Sequence, residues 1–143
     1  MTVAKTLSFV DTNVLVYAFD KSSSPKKLVA QRLMNELMED DLLRVSTQVL
    51  QELFVTLTRK VRQPCSSEEA LRALEDLAAW PLMVVDYAAI RAAGGLADQA
   101  KVSFPDALAV VAAARTGAAV LYTEDLNDRQ EILGVRIRNP FTA

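Results

Sequence analysis

Short apolar runs alternate with longer segments of helical periodicity along this chain, and this alternation restricts the possible fold more than any other feature. The runs predicted to be strands lie at residues 6–10, 43–45, 82–85, 119–122 and 135–138. The segments predicted to be helices lie at 14–19, 25–39, 47–63, from 66 or 67 onward, 87–99 and 104–115. Strands that alternate with helices form a parallel sheet covered on both faces. We therefore expect an α/β protein with about five strands.

The length of 143 residues matches one domain. No repeat, low-complexity tract or linker divides the sequence, so we expect residues 1–143 to form a single domain. No apolar run approaches the roughly 18 residues of a membrane span. The first residues do not form the apolar centre of a signal peptide. These features predict a cytoplasmic protein without a membrane partner.

The absence of histidine removes many reaction types. Ser-His-Asp and Cys-His hydrolysis and histidine-based metalloprotease sites are excluded. The single cysteine, Cys65, excludes an internal disulfide and a multi-cysteine zinc site. With 16 basic and 18 acidic residues, the formal charge of −2 gives no global attraction to nucleic acid. Chemistry must therefore come from carboxylates, hydroxyls, Lys or Arg, and any nucleic acid must bind a local basic patch.

Four acidic residues stand out by position, namely Asp11, Glu52, Asp106 and Asp125. Asp11 directly follows the first predicted strand, and Asp125 lies in the loop after the strand at 119–122. In open parallel sheets, ligands bind beyond the carboxyl ends of the strands, and functional residues are found there. Asp106 opens a helix that is apolar on all sides, so its charge at the mouth of a buried element needs a partner.

Each of these acids also has a purely structural interpretation. Asp11 could cap the helix that follows it. Ser103 and Asp106 fit a capping box. Glu52 lies opposite the apolar stripe of its helix, a position that is usually solvated, and Asp125 could belong to an ordinary acidic loop. The residues alone leave both interpretations open.

Five segments carry a resemblance to a known family. They are Val10-Asp11-Thr12-Asn13-Val14-Leu15, Leu50-Gln51-Glu52-Leu53, Pro105-Asp106-Ala107-Leu108-Ala109, Leu121-Tyr122-Thr123-Glu124-Asp125-Leu126, and Gly134-Val135 with Asn139-Pro140-Phe141. In this order and over essentially the whole length, they resemble the PIN domains and, among these, the ribonuclease toxins of VapC type. The resemblance implies a three-layer α/β/α sandwich, with the acids gathered around one or two divalent cations.

The resemblance also implies roles for individual residues. Asp11 and Asp106 match the principal metal ligands, and both are expected to be catalytic. Glu52 and Asp125 match the remaining catalytic acids, which bind the metal directly or through water.

Weaker supporting roles follow from the same resemblance. Asn13 and Thr123 match polar residues that support the acids. Many relatives carry a further acid where this chain has Asn127, and whether Asp128 replaces it is left open, together with the presence of a second metal.

The expected cofactor follows from the charge of the cluster. Two carboxylates about 4 Å apart repel each other by roughly 4 kcal/mol at an effective dielectric near 20, so several of them need a cation or protons. Oxygen ligands without His or Cys select Mg²⁺ or Mn²⁺ over zinc. Such a metal makes a bound water acidic enough to attack a phosphodiester. The expected function is a metal-dependent endoribonuclease, with products that end in a 5′-phosphate and a 3′-hydroxyl.

The resemblance further implies the partners of a toxin. These are an RNA substrate, a cognate antitoxin protein and a second copy of the chain in a homodimer. For the RNA, the best local basic cluster is Arg59, Lys60 and Arg62. Arg59 lies two helical turns beyond Glu52 on the same side, which favours Arg59 as the contact to a backbone phosphate.

Two other functions compete with this one. A haloacid-dehalogenase-type phosphohydrolase would use Asp11 as its nucleophile, but the position of its general acid holds Asn13, which cannot supply that proton. A non-catalytic binding module could retain the PIN fold. Titration with Mg²⁺ separates an enzyme from such a module.

Overall fold

Strands and helices alternate through residues 5–142, the part of the chain that the computed structural model describes. The strands are β1 (Ser8–Val10), β2 (Leu43–Ser46), β3 (Leu82–Met83), β4 (Val120–Tyr122), β5 (Glu131–Ile132) and β6 (Val135–Arg138). The helices are α1 (Thr12–Phe19), α2 (Pro25–Glu39), α3 (Thr47–Val55), α4 (Ser67–Ala78), α5 (Tyr87–Ala100) and α6 (Phe104–Arg115). In this part of the chain no helix is both long and apolar enough to cross a membrane. Residues 1–4 and 143 of the predicted single domain lie outside the described residues.

The strands form one sheet in the order β3-β2-β1-β4-β6-β5. All neighbouring strands are parallel except β5 and β6. In the centre of the sheet, Phe9 of β1 pairs with Leu121 of β4, which pairs in turn with Ile137 of β6. All three side chains are fully buried, so the central strands are apolar because both faces of the sheet are covered.

Among residues 5–142 the sheet has six strands, one more than the sequence predicted. The additional strand, β5, is two residues long and forms a hairpin with β6, in which Ile132 pairs with Val135. The two residues of the turn, Leu133 and Gly134, both have positive φ angles, of 52° and 76°. Positive φ at both central residues is what a type I′ hairpin turn requires. Leu-Gly is a rare sequence for such a turn, which explains why the sequence did not indicate the strand.

The helices form two groups on opposite faces of the sheet. From β1 to β2 to β3 the chain moves in one direction across the sheet, through α1 to α4, and it returns from β3 to β4 through α5 and α6. Because parallel connections are right-handed, helices before and after this reversal cover different faces. Accordingly α1 packs against α2 and α3, and α5 packs against α6. This is the three-layer α/β/α arrangement that the resemblance implied.

The helix predicted at 47–63 ends earlier and in a different form. The α-helical part stops at Val55, and a single π turn at Thr56–Lys60 follows it. Its defining bond runs from the Val61 N–H to the Thr56 carbonyl, at 3.2 Å. The backbone of Val61 is then extended, so residues 61–63 are not helical. The Thr58 hydroxyl, which bonds the Phe54 carbonyl at 2.8 Å, competes with the regular helical pattern here.

Two glycine positions give opposite stability predictions. Gly94 lies inside α5, where an added methyl group would enter open space, so Gly94→Ala should raise the free energy of unfolding by about 0.5–1 kcal/mol. Gly117 follows α6 with a φ of 78°, and a Cβ there would meet Leu7 only at an ordinary 3.8 Å. Gly117→Ala should therefore lower stability by about 1–2 kcal/mol through backbone strain alone. Urea unfolding followed by Trp80 fluorescence measures both, and equal effects of the two changes would contradict the prediction.

Candidate metal centre

The carboxyl ends of β1 and β4 meet where the direction of the sheet reverses. The two strands are neighbours, with Val10 paired to Tyr122, yet β1 connects onward to β2 on its other side. Such a switch point leaves a crevice outside the strand ends, where ligands bind in open α/β sheets. Asp11 directly follows β1, and Thr123 directly follows β4. The topology therefore brings the first and the last of the predicted acidic segments together.

Asp11 is buried at the beginning of α1, with 7% of its surface exposed. Its Oδ1 accepts a hydrogen bond from the Thr12 N–H at 2.8 Å, so the predicted capping role is real. Its Oδ2 accepts a second bond, from the Thr123 hydroxyl, at 3.1 Å. The carboxylate is thus fixed from two elements, and its position serves more than the helix end.

Three carboxylates converge at this edge. Oxygens of Asp11, Asp106 and Asp125 lie within 4.8 Å of one another. Asp106 comes from the first turn of α6, where the Ser103 hydroxyl caps the helix by accepting the Asp106 N–H at 3.2 Å. That cap uses the backbone N–H of Asp106, and a carboxylate oxygen of the same residue lies with those of Asp11 and Asp125.

The proximity of the acids changes their protonation. Burial raises the pKa of Asp11 from 3.8 to about 7. The negative charge of Glu52 and then that of Asp106 add to the rise, whereas the hydrogen bonds from Thr12 and Thr123 oppose it. Burial also raises the pKa of Asp106, and the charge of Asp125 raises it further. The cluster therefore holds its full negative charge only at a cost in free energy.

Glu52 lies beside these acids and is half-buried, although its helical position predicted a solvated side chain. Its Oε1 accepts a hydrogen bond from the Thr12 hydroxyl at 3.1 Å. Burial raises the pKa of Glu52, and the charges of Asp106 and Asp125 act in the same direction. The side of α3 opposite its apolar stripe faces α1 and the pocket, which periodicity within one helix could not reveal.

A polar network connects the two loops that carry the acids. The Asn13 amide donates to the Asp125 carboxylate at 2.9 Å and to the Thr123 hydroxyl at 3.0 Å. The same hydroxyl, which is fully buried, also accepts the Asp125 N–H at 3.2 Å. The Thr123 hydroxyl has one proton and donates it to Asp11, so it can only accept hydrogen bonds from Asn13 and from the Asp125 N–H. Asn13 and Thr123, which the resemblance predicted to support the acids, thus donate hydrogen bonds to Asp125 and Asp11.

The acids open into a cavity of about 610 Å³. It is lined by residues from α1, from α3 and its π turn, from the start of α6, and from the loop after β4: Asp11, Thr12, Asn13, Val16, Tyr17, Gln51, Glu52, Val55, Thr56, Lys60, Pro105, Asp106, Glu124 and Asp125. All four predicted acids are among these residues. The pocket combines an acidic floor with apolar side chains such as Val16 and Val55.

Asp128 and Arg59, which the sequence offered as site residues, do not line the pocket. The Asp128 carboxylate accepts the Asn139 N–H at 2.9 Å and lies 3.4 Å from the Arg138 guanidinium. These contacts hold the pKa of Asp128 low and tie it to the end of β6, so it does not join the acids as a replacement for the acid missing at Asn127. Arg59 is exposed and lies outside the cavity wall, where Lys60 is found instead.

One cluster at the rim of the pocket was not anticipated. The Glu124 carboxylate accepts hydrogen bonds from the Tyr17 hydroxyl at 2.9 Å and from the Lys26 ammonium at 2.8 Å. Lys26 also lies over the rings of Tyr17 and Phe141, 5.1 and 5.2 Å from their centroids. The Glu124 bond is the main reason why the pKa of Lys26 is raised. These contacts join α2 to the loop of Asp125, and no spacing in the sequence indicates them.

The donor set fits a hard divalent cation. Every candidate ligand is a carboxylate oxygen, and the described residues place no Cys near the cluster. The Mg²⁺ and Mn²⁺ ions prefer such oxygen ligands. Burial raises the pKa of Asp11, and a cation bound at these oxygens would favour its ionised form. We therefore identify Asp11, Asp106 and Asp125, with Glu52 beside them, as a candidate metal centre.

The fold and the site together define a doubly wound α/β protein with an acidic centre at its topological switch point. The family model of the PIN domain matches residues 8–130. The chain therefore belongs to the PIN domain family, which confirms the resemblance found in the sequence. A comparison with curated proteins finds no match.

Solved structures with the same fold include several toxins and their complexes. VapC20 from Mycobacterium tuberculosis, described as a toxin that cleaves the sarcin-ricin loop, is 20% identical, with a TM-score of 0.64 over 80% of this chain and 86% of that one. A toxin-antitoxin complex from Klebsiella pneumoniae is 16% identical, with a TM-score of 0.68 over 95% and 99% of the two chains. VapBC2 from Rickettsia felis, bound to a DNA fragment from its promoter, is 19% identical, with a TM-score of 0.64 over 92% and 97%. At these identities the likeness establishes the fold.

Proposed function

We propose that this PIN domain is a divalent-metal-dependent endoribonuclease and the toxin of a toxin-antitoxin pair. The observation that carries the proposal is the convergence of Asp11, Asp106 and Asp125, whose carboxylate oxygens lie within 4.8 Å of one another. Such a group of acids destabilises the folded protein unless it binds a cation or protons, so a role in chemistry accounts for its presence. A bound Mg²⁺ or Mn²⁺ would supply positive charge for the phosphodiester oxygens and acidify an attacking water.

Three acids of the chain would bind the ion, and polar neighbours would orient these acids. Asp11, Asp106 and Asp125 would hold the ion, and Asp11 is fixed for this by Thr12 and Thr123. Asn13 donates to the Asp125 carboxylate and thereby orients it. Hydrogen bonds of this kind fix the direction of ligand oxygens and tune their basicity.

Glu52 would take up a proton in this mechanism. Its Oε1 accepts the Thr12 hydroxyl, whereas Oε2 accepts no hydrogen bond from the described residues. Its raised pKa makes it a better proton acceptor near neutral pH than an ordinary glutamate. The attacking water would give a proton to Glu52 as its oxygen bonds to phosphorus, and the 3′-oxygen, as its bond to phosphorus breaks, would take a proton from solvent water. The products would then carry a 5′-phosphate and a 3′-hydroxyl.

Asn13 also bears on the competing phosphohydrolase. That chemistry needs an acid at position 13 to protonate the leaving group. The Asn13 amide instead donates two hydrogen bonds, to Thr123 and Asp125, and serves the acid cluster. The observed network therefore favours the nuclease.

The similar structures support RNA as substrate and an antitoxin as partner. VapC20 is described as cleaving the sarcin-ricin loop, and the similar structure from Klebsiella pneumoniae is a toxin-antitoxin complex. We extend these two properties to this chain, because its acids occupy one pocket as a nuclease requires. A cognate antitoxin would have to cover this pocket or the surface around it to block the activity.

The decisive experiment is cleavage of purified ribosomal and transfer RNA with Mg²⁺ or Mn²⁺ and with a chelator. We expect discrete fragments with 5′-phosphate ends in either metal and none with the chelator. Asp11→Ala serves as the control for contaminating nucleases and should give no fragments. No cleavage by the wild type in either metal would favour the non-catalytic binding module, and cleavage that survives the chelator would exclude the proposed mechanism.

A further inference from the structure

We propose that Lys60 binds a backbone phosphate of the RNA beside the acidic pocket. This inference rests on the proposed nuclease function, and it assigns to Lys60 a role for which the sequence favoured Arg59. Its basis is the π turn after α3, the position of Lys60 in the cavity wall, and the lack of a carboxylate partner for its ammonium group among the described residues.

The π turn changes which basic residue faces the pocket. In an uninterrupted α-helix, residues seven apart lie on the same side, which would align Arg59 with Glu52. The bond from the Val61 N–H to the Thr56 carbonyl spans five residues instead of four, so one extra residue is inserted into the turn. The end of the helical segment is displaced by one place, so Lys60 takes the position that Arg59 would have had. The composition of the cavity wall agrees, because it includes Lys60 and not Arg59.

The backbone that carries Lys60 is anchored. Leu57, the second residue of the π turn, is buried in the core with 1% of its surface exposed. Its carbonyl accepts the Cys65 N–H at 2.8 Å, which closes the segment after Lys60 back onto the turn. The Thr58 hydroxyl holds the preceding turn through the Phe54 carbonyl. Lys60 therefore projects from a defined position at the pocket.

The charge of Lys60 is available for a ligand. Within residues 5–142, none of the ion pairs shorter than 4.0 Å involves Lys60, whereas Lys26 is paired with Glu124. The charge of Lys60 does reach Glu52, whose pKa it lowers. An exposed ammonium group near the reacting centre is suited to a phosphate of a bound polyanion. A chain of net charge −2 with an acidic pocket needs such a contact to hold RNA at all.

Binding is tested first, in a background that does not cleave. The probe is a fluorescein-labelled, single-stranded RNA of mixed sequence, titrated with Asp106→Asn and Asp106→Asn/Lys60→Ala between about 50 and 200 mM salt. Removal of Lys60 should weaken binding roughly threefold to tenfold at the low salt concentration. It should also reduce the slope of log affinity against log salt by about 0.7, the share of one phosphate contact with a single strand. Lys60→Arg should restore the slope.

Arg59→Ala is the matched control, because it removes the same charge one residue away and outside the cavity wall. We expect its salt slope to stay within error of the parent. If Arg59→Ala reduced the slope and Lys60→Ala did not, the prediction from the sequence would hold and the present proposal would be wrong. An unchanged slope for both variants, or no binding of the probe by Asp106→Asn at low salt, would also overturn it.

Kinetics then separate a phosphate contact from an indirect effect through Glu52. In the cleaving wild-type background, Lys60→Ala should raise KM roughly threefold to tenfold and leave kcat within about twofold. A changed pH profile of kcat with an unaltered KM and salt slope would mean that Lys60 acts only through Glu52, and the proposal would fail. Absence of cleavage by the wild type contradicts the nuclease function, whereas cleavage by the wild type with unchanged binding by Lys60→Ala contradicts only the role of Lys60.

Discussion

Asp106→Asn is expected to reduce RNA cleavage by more than about a hundredfold while the protein stays folded. Loss of a residue that only orients a metal ligand typically costs about 10- to 100-fold, so loss of a ligand should cost more. Asparagine matches aspartate in shape, and the N-cap bond from Ser103 uses the backbone of residue 106, so α6 keeps its beginning. The substitution removes one negative charge from a group whose oxygens lie within 4.8 Å. Its melting temperature without metal should therefore equal or exceed that of the wild type.

The matched control for Asp106→Asn is Glu124→Gln. Glu124 lines the same cavity and precedes Asp125, but its carboxylate is bound by Tyr17 and Lys26. We expect less than about a tenfold loss of cleavage, because the charge removed is not part of the converging group. The increase of melting temperature with added Mg²⁺ or Mn²⁺ should shrink in Asp106→Asn and persist in Glu124→Gln. Cleavage by Asp106→Asn within tenfold of the wild type would reduce Asp106 to a structural residue.

The metal-free protein is expected to lose stability as the pH rises from about 4.5 to 8, and Asp11 should cause most of this loss. Burial raises the pKa of Asp11 from its ordinary value of 3.8 to about 7 in the folded protein. Between these values the folded state holds a proton that the unfolded state has released, so raising the pH favours unfolding. One pKa unit corresponds to about 1.4 kcal/mol, so the loss is on the order of 3 kcal/mol over this range.

Asp11→Asn removes the titrating group and should flatten this dependence. A smaller decline should remain, because Glu52 and Asp106 also have raised pKa values. Urea unfolding at several pH values, followed by Trp80 fluorescence, measures the effect, and Asp98→Asn on the exposed part of α5 is the control that should leave the slope unchanged. Mg²⁺ should restore stability more at pH 8 than at pH 5, because protons compete with the ion for the same oxygens. Parallel pH curves for wild type and Asp11→Asn would contradict the assignment.

Much of the site could be predicted because it depends on the order of the strands. A carboxylate directly after a buried parallel strand must lie at the carboxyl edge of the sheet, so Asp11 and Asp125 could be placed near each other without coordinates. Their supporting residues could be placed with them, since Asn13 and Thr123 lie in the same two connections.

Other residues depend on contacts between elements and could not be predicted in the same way. The position of Glu52 against Thr12 follows from the packing of α3 on α1. The periodicity of a single helix does not predict which neighbouring helix its polar side will contact. The exchange of Arg59 for Lys60 in the cavity wall depends on one backbone hydrogen bond, from Val61 to Thr56. The short strand β5 depends on a turn in which Leu133 and Gly134 both have positive φ, and the Leu-Gly sequence does not predict such a turn.

The separation of the acids from the hydrophobic core has an evolutionary consequence. Core side chains such as Phe9 and Leu121 lie within strands, whereas Asp11 and Asp106 lie at helix beginnings and contribute repulsion to the folded state. Substitution of these acids by uncharged residues should therefore yield a more stable protein that lacks the proposed activity. In a lineage no longer selected for the proposed cleavage, random drift should remove the acids early and leave the fold intact, so their joint retention in a descendant would indicate continued selection for that proposed activity.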